Sequence, residues 1–367
     1  MCQKNLFKYI ILLTRRYFKV KTVLVIGGGV TGLKASYELA EMGYNVSLVE
    51  KEDYLGGQVA KHKYYKLAPD MRLAGEVIDP VIKSVENNSN IKVYKHSTIT
   101  SLSGDAPEFK VKIKNSKGES EETFGAIVVA TGFEHFDPTV KQEYGYSRFK
   151  DVVTNAEIEE MLNPNGPTKG ELKRPSDGKI PKKVAIFQCV GSRDKQVGNP
   201  YCCRVGCVVS TKQAIEIKEK YPDTEVYVYY MDMRMFGRGW EELYGKAMEE
   251  YEVIFTRGRG AEVTLKNQQL SLRAEETIMD RPIQHSVDMI ILAAGQAPGE
   301  GTIEAAKILG LKQNDYGYLA PKDDFLSPNE SSRKGIFIAG ADKGPLDIEN
   351  CIVEGAAVAA KVASSLK

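Results

Sequence analysis

The stretch TVLVIGGGVTG, residues 22–32, decides the fold of this chain. Its first five residues are apolar and mostly β-branched, which predicts a buried β-strand. A helical pattern follows over residues 32–40, and a second strand pattern, NVSLVE, covers residues 45–50. The two strands and the helix between them make a strand–helix–strand unit of about 30 residues, the repeating element of parallel α/β folds.

The glycines of this stretch match the spacing of a dinucleotide-binding turn. Gly27, Gly29 and Gly32 follow the pattern G-x-G-x-x-G directly after a strand and at the start of a helix. They permit the tight turn, the approach of a pyrophosphate and the close packing of the helix, respectively. Glu50, at the end of the second strand, can accept hydrogen bonds from ribose hydroxyls. The alternative is a purely structural glycine turn.

Composition limits the class of protein. The chain has 367 residues, of which 42% are hydrophobic and 27% charged, as in globular proteins and unlike disordered or fibrous ones. This length exceeds what one core usually supports, so two domains are expected. A formal net charge of +1 gives no reason to expect nucleic acid as a partner.

A second α/β unit is expected after a linker. Residues 163–181 are rich in proline, glycine and charge, which is typical of a connection between domains. The stretch VDMIILAAG at residues 287–295 echoes AIVVATG at residues 126–132. We therefore divide the chain into an N-terminal extension (1–20), the first part of one domain (21–180), an inserted α/β domain (181–284) and the second part of the first domain (285–367).

The first 20 residues contain a short apolar run, YIILL, at residues 9–13. A membrane-spanning helix needs about 20 apolar residues, so this run does not span a bilayer, and it lacks the features of a signal peptide. It is a frayed or helical extension, or else an amphipathic patch that docks on a partner or a membrane surface. We expect a cytoplasmic protein with at most peripheral membrane contact.

Three later segments narrow the choice of cofactor. Gly56-Gly57-Gln58 follows Glu50, Ala130-Thr131-Gly132 ends the first repeat, and GIFIAG at residues 335–340 precedes Asp342 and a final helix. In this order they resemble the two-dinucleotide-domain flavoproteins of the thioredoxin-reductase and pyridine-nucleotide disulfide reductase type. The resemblance implies an α/β fold of two nested Rossmann-like domains, with FAD rather than NAD at the glycine turn.

Four of the six cysteines fall within residues 189–207, which predicts a shared role. The strand that opens the second domain leads into QCVGSRD without a G-x-G-x-x-G pattern, so a nicotinamide site is not indicated. No C-x-x-C pair is present, so the redox-active dithiol of a thioredoxin reductase is missing. Four thiolates can instead hold an iron–sulfur cluster. The alternative is a set of unligated, partly buried cysteines.

The same region is similar to the A subunits of heterodisulfide reductases, which are flavin and iron–sulfur proteins. The similarity lies in QCVGSR at residues 188–193, in YCCRVGC at residues 201–207 and in the helix that contains KQA at residues 212–214. The segment AGADKGPLDI at residues 339–348 resembles the family's AGAxxGPxDI. The resemblance covers nearly the whole chain from about Lys21.

By position, the resemblance implies that Cys189, Cys202 and Cys207 are ligands of a cluster close to the FAD. The fourth family cysteine falls on Gly206, which is a departure from the family pattern. The neighbouring Cys203 supplies a fourth thiol, so the implied set of ligands is these four cysteines, and the implied centre is one [4Fe–4S] cluster.

The resemblance also places Lys212 near flavin N5, as the candidate catalytic residue. A cation there favours the anionic reduced flavin; the alternative is a solvated helix lysine. The implied FAD-binding residues are Gly27, Gly29, Val30, Thr31, Gly32, Glu50, Lys51, Gly57, Gln58, Ala130, Thr131, Gly132, Gly340, Asp342, Gly344, Pro345, Asp347 and Ile348.

The resemblance implies an oxidoreductase that carries electrons between a cluster and FAD in a heterodisulfide-reductase-like complex. Its partners would be iron–sulfur subunits of the B and C type, and the chain would form a homodimer. Six cysteines cannot supply ferredoxin domains, so the compact form looks like the A subunits of sulfur-oxidising complexes or of the quinone-interacting complex of sulfate reducers. The alternatives are a stand-alone NAD(P)H-dependent flavoprotein reductase and a flavin-bearing scaffold without turnover. The four scattered histidines indicate no metal site.

Overall fold

The computed structural model describes residues 22–366, so the predicted extension at residues 1–20 lies outside the described residues. The described chain falls into two compact units. The first contains the residues up to Gly57, Ile78–Phe133 and the residues from Pro298 onward; the second contains Gln58–Val77 and Glu134–Ala297.

The α-helices of the described residues are numbered in chain order. They are α1 (Val30–Glu41), α2 (Gly57–Lys61), α3 (Ala74–Glu86), α4 (Asn155–Leu162), α5 (Gly206–Lys220), α6 (Trp240–Glu249), α7 (Glu300–Leu309) and α8 (Ile348–Leu366). Three short 3₁₀ helices cover Pro138–Val140, Gln142–Tyr144 and Lys195–Val197.

The strands are numbered in the same way. They are β1 (Thr22–Ile26), β2 (Asn45–Val49), β3 (Lys66–Leu67), β4 (Arg72–Leu73), β5 (Ile91–Tyr94), β6 (Thr98–Ser103), β7 (Phe109–Asn115), β8 (Gly118–Phe124), β9 (Ala126–Val129), β10 (Phe133–His135), β11 (Val152–Thr154), β12 (Lys183–Val190), β13 (Glu225–Tyr230), β14 (Ile254–Arg257), β15 (Gly260–Lys266), β16 (Gln269–Glu276), β17 (Arg281–Val287), β18 (Met289–Ala294), β19 (Gln296–Pro298), β20 (Pro321–Asp323), β21 (Ser327–Ser331) and β22 (Ile336–Ile338).

The first unit is built on a seven-stranded sheet in the order β20-β21-β22-β9-β1-β2-β5. The strands from β22 to β5 are parallel, and Ile26 in β1 lies opposite Val49 and Val129. The carboxyl ends of these strands therefore share one edge of the sheet. The predicted cofactor segments follow β1, β2, β9 and β22, which brings them to that edge.

The predicted strand at the start of the chain is β1, and both of its faces are buried. Val23 and Val25 pack in one cluster of apolar side chains, whereas Leu24 and Ile26 pack in another. Successive side chains of a strand point to opposite faces, so each face of β1 belongs to one of these cores. Burial of both faces explains why the strand is continuously apolar.

The second unit has a five-stranded parallel sheet in the order β11-β18-β12-β13-β14 and a three-stranded antiparallel sheet, β15-β16-β17. Helix α5 is almost entirely buried from Cys207 to Ile217. Its side chains Val208, Ala214 and Ile217 pack with residues of β12 and β13 in one core. Two charged residues of α5, Lys212 and Glu216, are buried together with these apolar side chains.

The second unit extends beyond the predicted insert at residues 181–284. Strand β11 pairs in parallel with β18, with Val152 opposite Ile290, so residues on both sides of that range belong to one sheet. Residues Gln58–Val77 also belong to this unit. The stretch at residues 163–181 has no helix or strand, as its composition predicts, but it lies within the second unit.

Within residues 22–366, no helix combines the length and the apolar character that crossing a bilayer requires.

Candidate functional site

The glycine turn between β1 and α1 is shaped by contacts that exclude side chains. Gly27 has a φ of +105°, and a Cβ there would lie 2.3 Å from the carbonyl oxygen of Ala130. A Cβ on Gly32 would lie 1.8 Å from the carbonyl oxygen of Gly27. Helix α1 starts at Val30, with Gly29 as its N-cap. The backbone N–H groups of its first turn, which includes Thr31, have no partner within the helix and form an anion site.

Glu50 is held at the end of β2 by the turn itself. Its carboxylate is buried and accepts hydrogen bonds from the backbone N–H of Gly28 at 2.6 Å and of Glu52 at 2.9 Å. These bonds fix the carboxylate beside the glycine turn, where the sequence predicts contact with ribose hydroxyls. Lys51, the next residue, is exposed.

Gly57 also approaches the turn. A Cβ on Gly57 would lie 2.9 Å from the Cα of Gly29, so a side chain at Gly57 would close the space in front of the turn. Gln58 is the second residue of α2 and the first residue of the second unit.

The segment after β9 contacts the start of α7. The hydroxyl of Thr131 lies 2.9 Å from that of Thr302, and the Thr302 hydroxyl donates to the carbonyl of Gly132 at 3.1 Å. The backbone N–H of Ala130 donates to Ile26 at 2.8 Å and so continues the sheet by one residue. Ala130, Thr131 and Gly132 are thus fixed beside the glycine turn.

Asp342 is fully buried, and neither oxygen of its carboxylate has a hydrogen-bond partner among the described residues. Burial raises the pKa of this carboxyl well above its usual range. Backbone N–H groups, including that of Thr131, lie near this carboxyl and only partly oppose the effect of burial. A buried carboxyl without a hydrogen bond of good geometry is costly, and a ligand with hydroxyl groups would satisfy it. The ribityl chain of FAD is such a ligand, so Asp342 fits the predicted cofactor.

The residues around Asp342 are arranged for close approach. Gly340 has a φ of +88°, and a Cβ there would lie 2.4 Å from Oγ1 of Thr31. Gly344 and Pro345 lead to Asp347, whose Oδ1 accepts from the backbone N–H of Asn350 at 2.8 Å. Asp347 therefore caps α8, which begins at Ile348. This helix start offers a second set of backbone N–H groups in the first unit.

In the second unit, the four predicted cysteine ligands line one small cavity. They come from the end of β12, from the loop before α5 and from the first turn of α5. Three arginines also line the cavity. The lining residues are Gln188, Cys189, Arg193, Cys202, Cys203, Arg204, Gly206, Cys207, Asp232 and Arg234.

The sulfurs in this cavity differ in charge state. A hydrogen bond from Cys203 lowers the pKa of Cys202 to about 5, and the backbone N–H of Arg204, at 3.3 Å from its sulfur, acts in the same direction. The same bond and burial raise the pKa of Cys203. Burial raises the pKa of Cys189 to about 11 and also raises that of Cys207. One thiolate and three thiols therefore share the cavity.

The chemistry of these cysteines is that of the thiolate ligands of an iron–sulfur cluster. Among the described residues, no three side chains of His, Cys, Asp or Glu converge closely enough to hold one metal ion. An iron–sulfur cluster instead separates its thiolates around an inorganic core, and nearby cations offset their negative charge. Arg193, Arg204 and Arg234 supply such cations at the cavity. The donor set therefore fits a cluster.

Gly206 and Cys203 show how the departure from the family pattern is accommodated. A Cβ on Gly206 would lie 2.8 Å from Sγ of Cys203. The sulfur of Cys203 therefore occupies the space that a side chain at residue 206 would enter.

Lys212 is not a solvated helix lysine. Its ammonium donates to both oxygens of Glu159, at 2.6 and 2.7 Å, and to the carbonyl of Lys66 at 3.1 Å. It also lies 3.0 Å from Oε2 of Glu216, and its side chain is 4% exposed. Its predicted place beside flavin N5 stays a prediction.

Sequence reasoning missed a group of residues that the fold brings together from distant segments. The rings of His62 and His135 are 5.3 Å apart, and Nδ1 of His62 lies 2.8 Å from a carboxylate oxygen of Glu160. Burial, with a smaller contribution from His62, lowers the pKa of His135 to about 4, so His135 is neutral. No local spacing signals such a group, because 73 residues separate the two histidines.

The chain matches the family model of pyridine nucleotide-disulphide oxidoreductases over residues 21–355. It is 32% identical to the second iron-sulfur A subunit of CoB–CoM heterodisulfide reductase from Methanopyrus kandleri, over 94% of this chain and 64% of that protein. It is 33% identical to the A subunit of the H(2):CoB-CoM heterodisulfide,ferredoxin reductase of Methanothermobacter marburgensis, over 93% of this chain and 63% of that protein. The chain thus spans slightly less than two thirds of the length of these relatives.

Among solved structures, the chain is similar to thioredoxin reductase from Lactococcus lactis, with a TM-score of 0.63 over 94% of this chain and 98% of that one. Their sequences are 15% identical, so this similarity concerns the fold. It confirms the predicted α/β fold of the thioredoxin-reductase type. The curated relatives confirm the predicted resemblance to the heterodisulfide reductase A subunits, and the family supports FAD as the cofactor. The chain belongs to the pyridine nucleotide-disulphide oxidoreductase family.

Proposed function

We propose that this protein is a cytoplasmic electron-transfer subunit that uses FAD and one [4Fe–4S] cluster in a heterodisulfide-reductase-like complex. The observation that carries the proposal is the cavity in which Cys189, Cys202, Cys203 and Cys207 meet three arginines. It occurs in a chain whose other unit has the glycine turn, Glu50 and Asp342 of a dinucleotide site. The relatives are named as A subunits, which supports the existence of partner subunits. We propose that these partners are iron–sulfur subunits of the B and C type.

In the first unit, the chain's own residues would bind and orient FAD. The N–H groups at the start of α1 would hold the pyrophosphate, Glu50 the ribose hydroxyls and Asp342 the ribityl hydroxyls. The flavin would supply the exchange of electrons, and the protein would supply binding and electrostatics. Lys51, Gly57 and the segment from Gly340 to Ile348 would complete the part of the site that lies in the first unit. A role of Gln58 in FAD binding stays a prediction.

In the second unit, the four cysteines would hold the cluster, and the arginines would stabilise its negative charge. Cys202 is the thiolate of the set, so it would be the first ligand to bind iron. Lys212 is the proposed catalytic lysine. Lys212 is paired with Glu159 and Glu216. A flavin nearby would therefore be affected by the combined charge of these three side chains.

The decisive experiment measures iron, acid-labile sulfide and flavin in protein purified under anaerobic conditions. We expect about four irons, four sulfides and one FAD for each chain, and a loss of iron and sulfide but not of FAD in Cys202→Ala. The matched control is Cys351→Ala, because Cys351 lies in the first unit, at the start of α8. A parent protein without iron would refute the cluster.

The same protein preparation distinguishes the proposed function from two alternatives. A stand-alone NAD(P)H-dependent reductase would show rapid bleaching of its flavin by near-stoichiometric NADH, which the absence of a second glycine pattern argues against. A flavin-bearing scaffold would show no sustained electron flow from a sulfur-compound-oxidising partner complex to an acceptor. We expect no bleaching of the flavin by NADH and sustained electron flow when the partner complex is present. We also propose that the chain acts as a homodimer.

A further inference from the structure

A group of buried charges lies on α5, beyond the cysteine cavity. Nζ of Lys212 donates to both oxygens of Glu159 and lies 3.0 Å from Oε2 of Glu216. All three side chains are 3–4% exposed. We call these three residues the Glu159–Lys212–Glu216 cluster. All of them belong to the second unit.

The cluster combines one cation with two carboxylates. If all three groups were ionised, a net negative charge would be buried without compensation, which is unfavourable in a protein interior. One proton on a carboxylate removes this charge. The hydrogen bonds indicate which carboxylate takes it. Glu159 accepts from Lys212 and, at 2.7 Å, from the side-chain amide of Gln213, whereas neither oxygen of Glu216 accepts a hydrogen bond of good geometry.

The electrostatic environment agrees with this assignment. Burial raises the pKa of Glu216 to about 7, and the charge of Glu159 adds to this effect while Lys212 opposes it. Burial alone would lower the pKa of Lys212, but the two carboxylates more than offset that effect and raise it. Lys212 is therefore charged at neutral pH, and Glu216 is the group that titrates.

Other charged and titratable groups face the cluster from the segment that contains β3. The charge of Lys66 lowers the pKa of Glu216, but its ammonium is shared with Glu219, at 2.7 Å. Tyr64 is fully buried, and burial together with Glu159 raises its pKa, so it stays a neutral phenol. Neither Lys66 nor Tyr64 therefore prevents the protonation of Glu216.

We infer that the Glu159–Lys212–Glu216 cluster stores one proton at neutral pH and exchanges it when the charge in the cysteine cavity changes. Helix α5 connects the two places, since Cys207 is in its first turn and Glu216 follows nine residues later. Nine residues of α-helix span about 13.5 Å. An added negative charge at that distance raises proton affinity about tenfold at an effective dielectric constant of about 20.

The exchange couples the addition of one electron to proton binding at one carboxyl group. An electron from a one-electron carrier of the ferredoxin class would enter the iron–sulfur cluster, and a proton from water would bind a carboxylate oxygen of Glu216. Reoxidation would return the proton to water. This step rests on the proposed function, whereas the storage of the proton does not.

The first experiment tests storage without any cofactor. Infrared difference spectra of the metal-free protein between pH 5.5 and pH 8.5 should contain a band of a protonated carboxyl group that titrates near pH 7. The band should be absent from Glu216→Gln, which lacks the titrating group. It should also be absent from Glu159→Gln, because there the carboxylate of Glu216 alone balances the charge of Lys212. It should persist in Glu250→Gln, an exposed glutamate of the same unit. A wild-type protein without the band, or a Glu216→Gln protein that retains it, would overturn the inference.

The second experiment tests the exchange in the protein that contains the cluster. Anaerobic reduction by dithionite in weakly buffered solution at pH 7 should be accompanied by proton uptake, followed with a pH indicator and corrected for dithionite oxidation. At pH 7 a tenfold rise in proton affinity raises the occupancy of a carboxyl group of pKa about 7 from about one half to about nine tenths. The wild-type protein should therefore take up about 0.4 proton per cluster more than Glu216→Gln, because proton uptake by the flavin is common to both proteins. Equal uptake by the two proteins would overturn the exchange, and a protein without iron would instead refute the proposed function and leave the first experiment decisive.

Discussion

The sulfur of Cys203 lies 2.8 Å from the position that a Cβ on Gly206 would occupy. The two residues therefore compete for one place at the wall of the cysteine cavity. A cysteine at residue 206 and a cysteine at residue 203 are alternative ways of delivering a thiol to the same region. Gly206 is helical, with no positive φ, so a side chain is compatible with its backbone.

This relationship predicts that the fourth ligand can be moved. Cys203→Ala should lose most of the iron and acid-labile sulfide, because only three thiols remain in the cavity. The double variant Cys203→Ala/Gly206→Cys should regain at least half of both, since removal of the sulfur makes room for the new side chain. Iron and sulfide analysis with electron paramagnetic resonance of the reduced protein measures the outcome.

Gly206→Ala in the presence of Cys203 is the steric control for this exchange. It introduces the clash without a thiol, so it should lower cluster content. If Cys203→Ala retained a full cluster, Cys203 would not be a ligand, and the cavity would need a fourth ligand from elsewhere.

Asp342 should affect FAD binding and protein stability in opposite directions. Asp342→Asn removes a buried carboxyl that accepts no hydrogen bond of good geometry in the described structure, so the FAD-free protein should unfold at a higher temperature. The same change should weaken FAD binding about tenfold or more, because the amide is a poorer acceptor for a ribityl hydroxyl. Thermal unfolding with and without FAD and a flavin titration measure the two effects.

Asp105→Asn is a matched control in the same unit, since the Asp105 side chain is 90% exposed and pairs with Arg333 at 3.2 Å. It should alter neither quantity by much. A loss of stability in FAD-free Asp342→Asn would show that the buried carboxyl has a structural partner.

The glycine turn predicts a strong and specific effect of one methyl group. Gly32→Ala places a Cβ 1.8 Å from the carbonyl oxygen of Gly27, so the turn must move and FAD should be lost during purification. Gly245→Ala is the control. Gly245 lies inside α6, and a Cβ there meets nothing within 4 Å, so this change should stabilise the protein by about 0.5–1 kcal/mol. Retention of stoichiometric FAD by Gly32→Ala would contradict the assigned role of the turn.

Much of the first unit could be predicted because its signals are local. The strand at residues 22–26 is β1, and the glycine pattern that follows it sits at the carboxyl edge of the parallel sheet. The order of the later segments also predicts that they lie close together, since parallel strands bring their carboxyl ends to one edge of the sheet. The limits of the second unit differ because β11 joins its sheet by pairing with β18, which lies far along the chain.

The charges on α5 could not be predicted for the same reason. Lys212 and Glu216 are four residues apart, which on sequence alone describes an exposed ion pair on a solvated face. Their burial depends on α4, which supplies Glu159 from 53 residues earlier. Only the packing of α4 against α5 turns an ordinary surface pattern into a buried group with an excess carboxylate.

This excess carboxylate predicts a pH dependence of stability. The pKa of Glu216 is raised by burial from 4.5 to about 7, so the folded protein binds this proton more tightly than the unfolded chain does. The stabilisation is fully present below about pH 4.5 and is lost as the pH rises to about 7. The difference between a pKa of 4.5 and one of about 7 corresponds to about 3 kcal/mol.

Glu216→Gln should remove that contribution, because an amide has the shape of the protonated acid and does not titrate. The free energy of unfolding of the wild-type protein relative to Glu216→Gln should therefore fall by about 3 kcal/mol between pH 4.5 and pH 8, as measured by urea denaturation at several pH values. Other titrating groups are common to both proteins and cancel in the difference. Parallel pH profiles would mean that Glu216 is ionised throughout, and Lys212 would then have to neutralise both carboxylates.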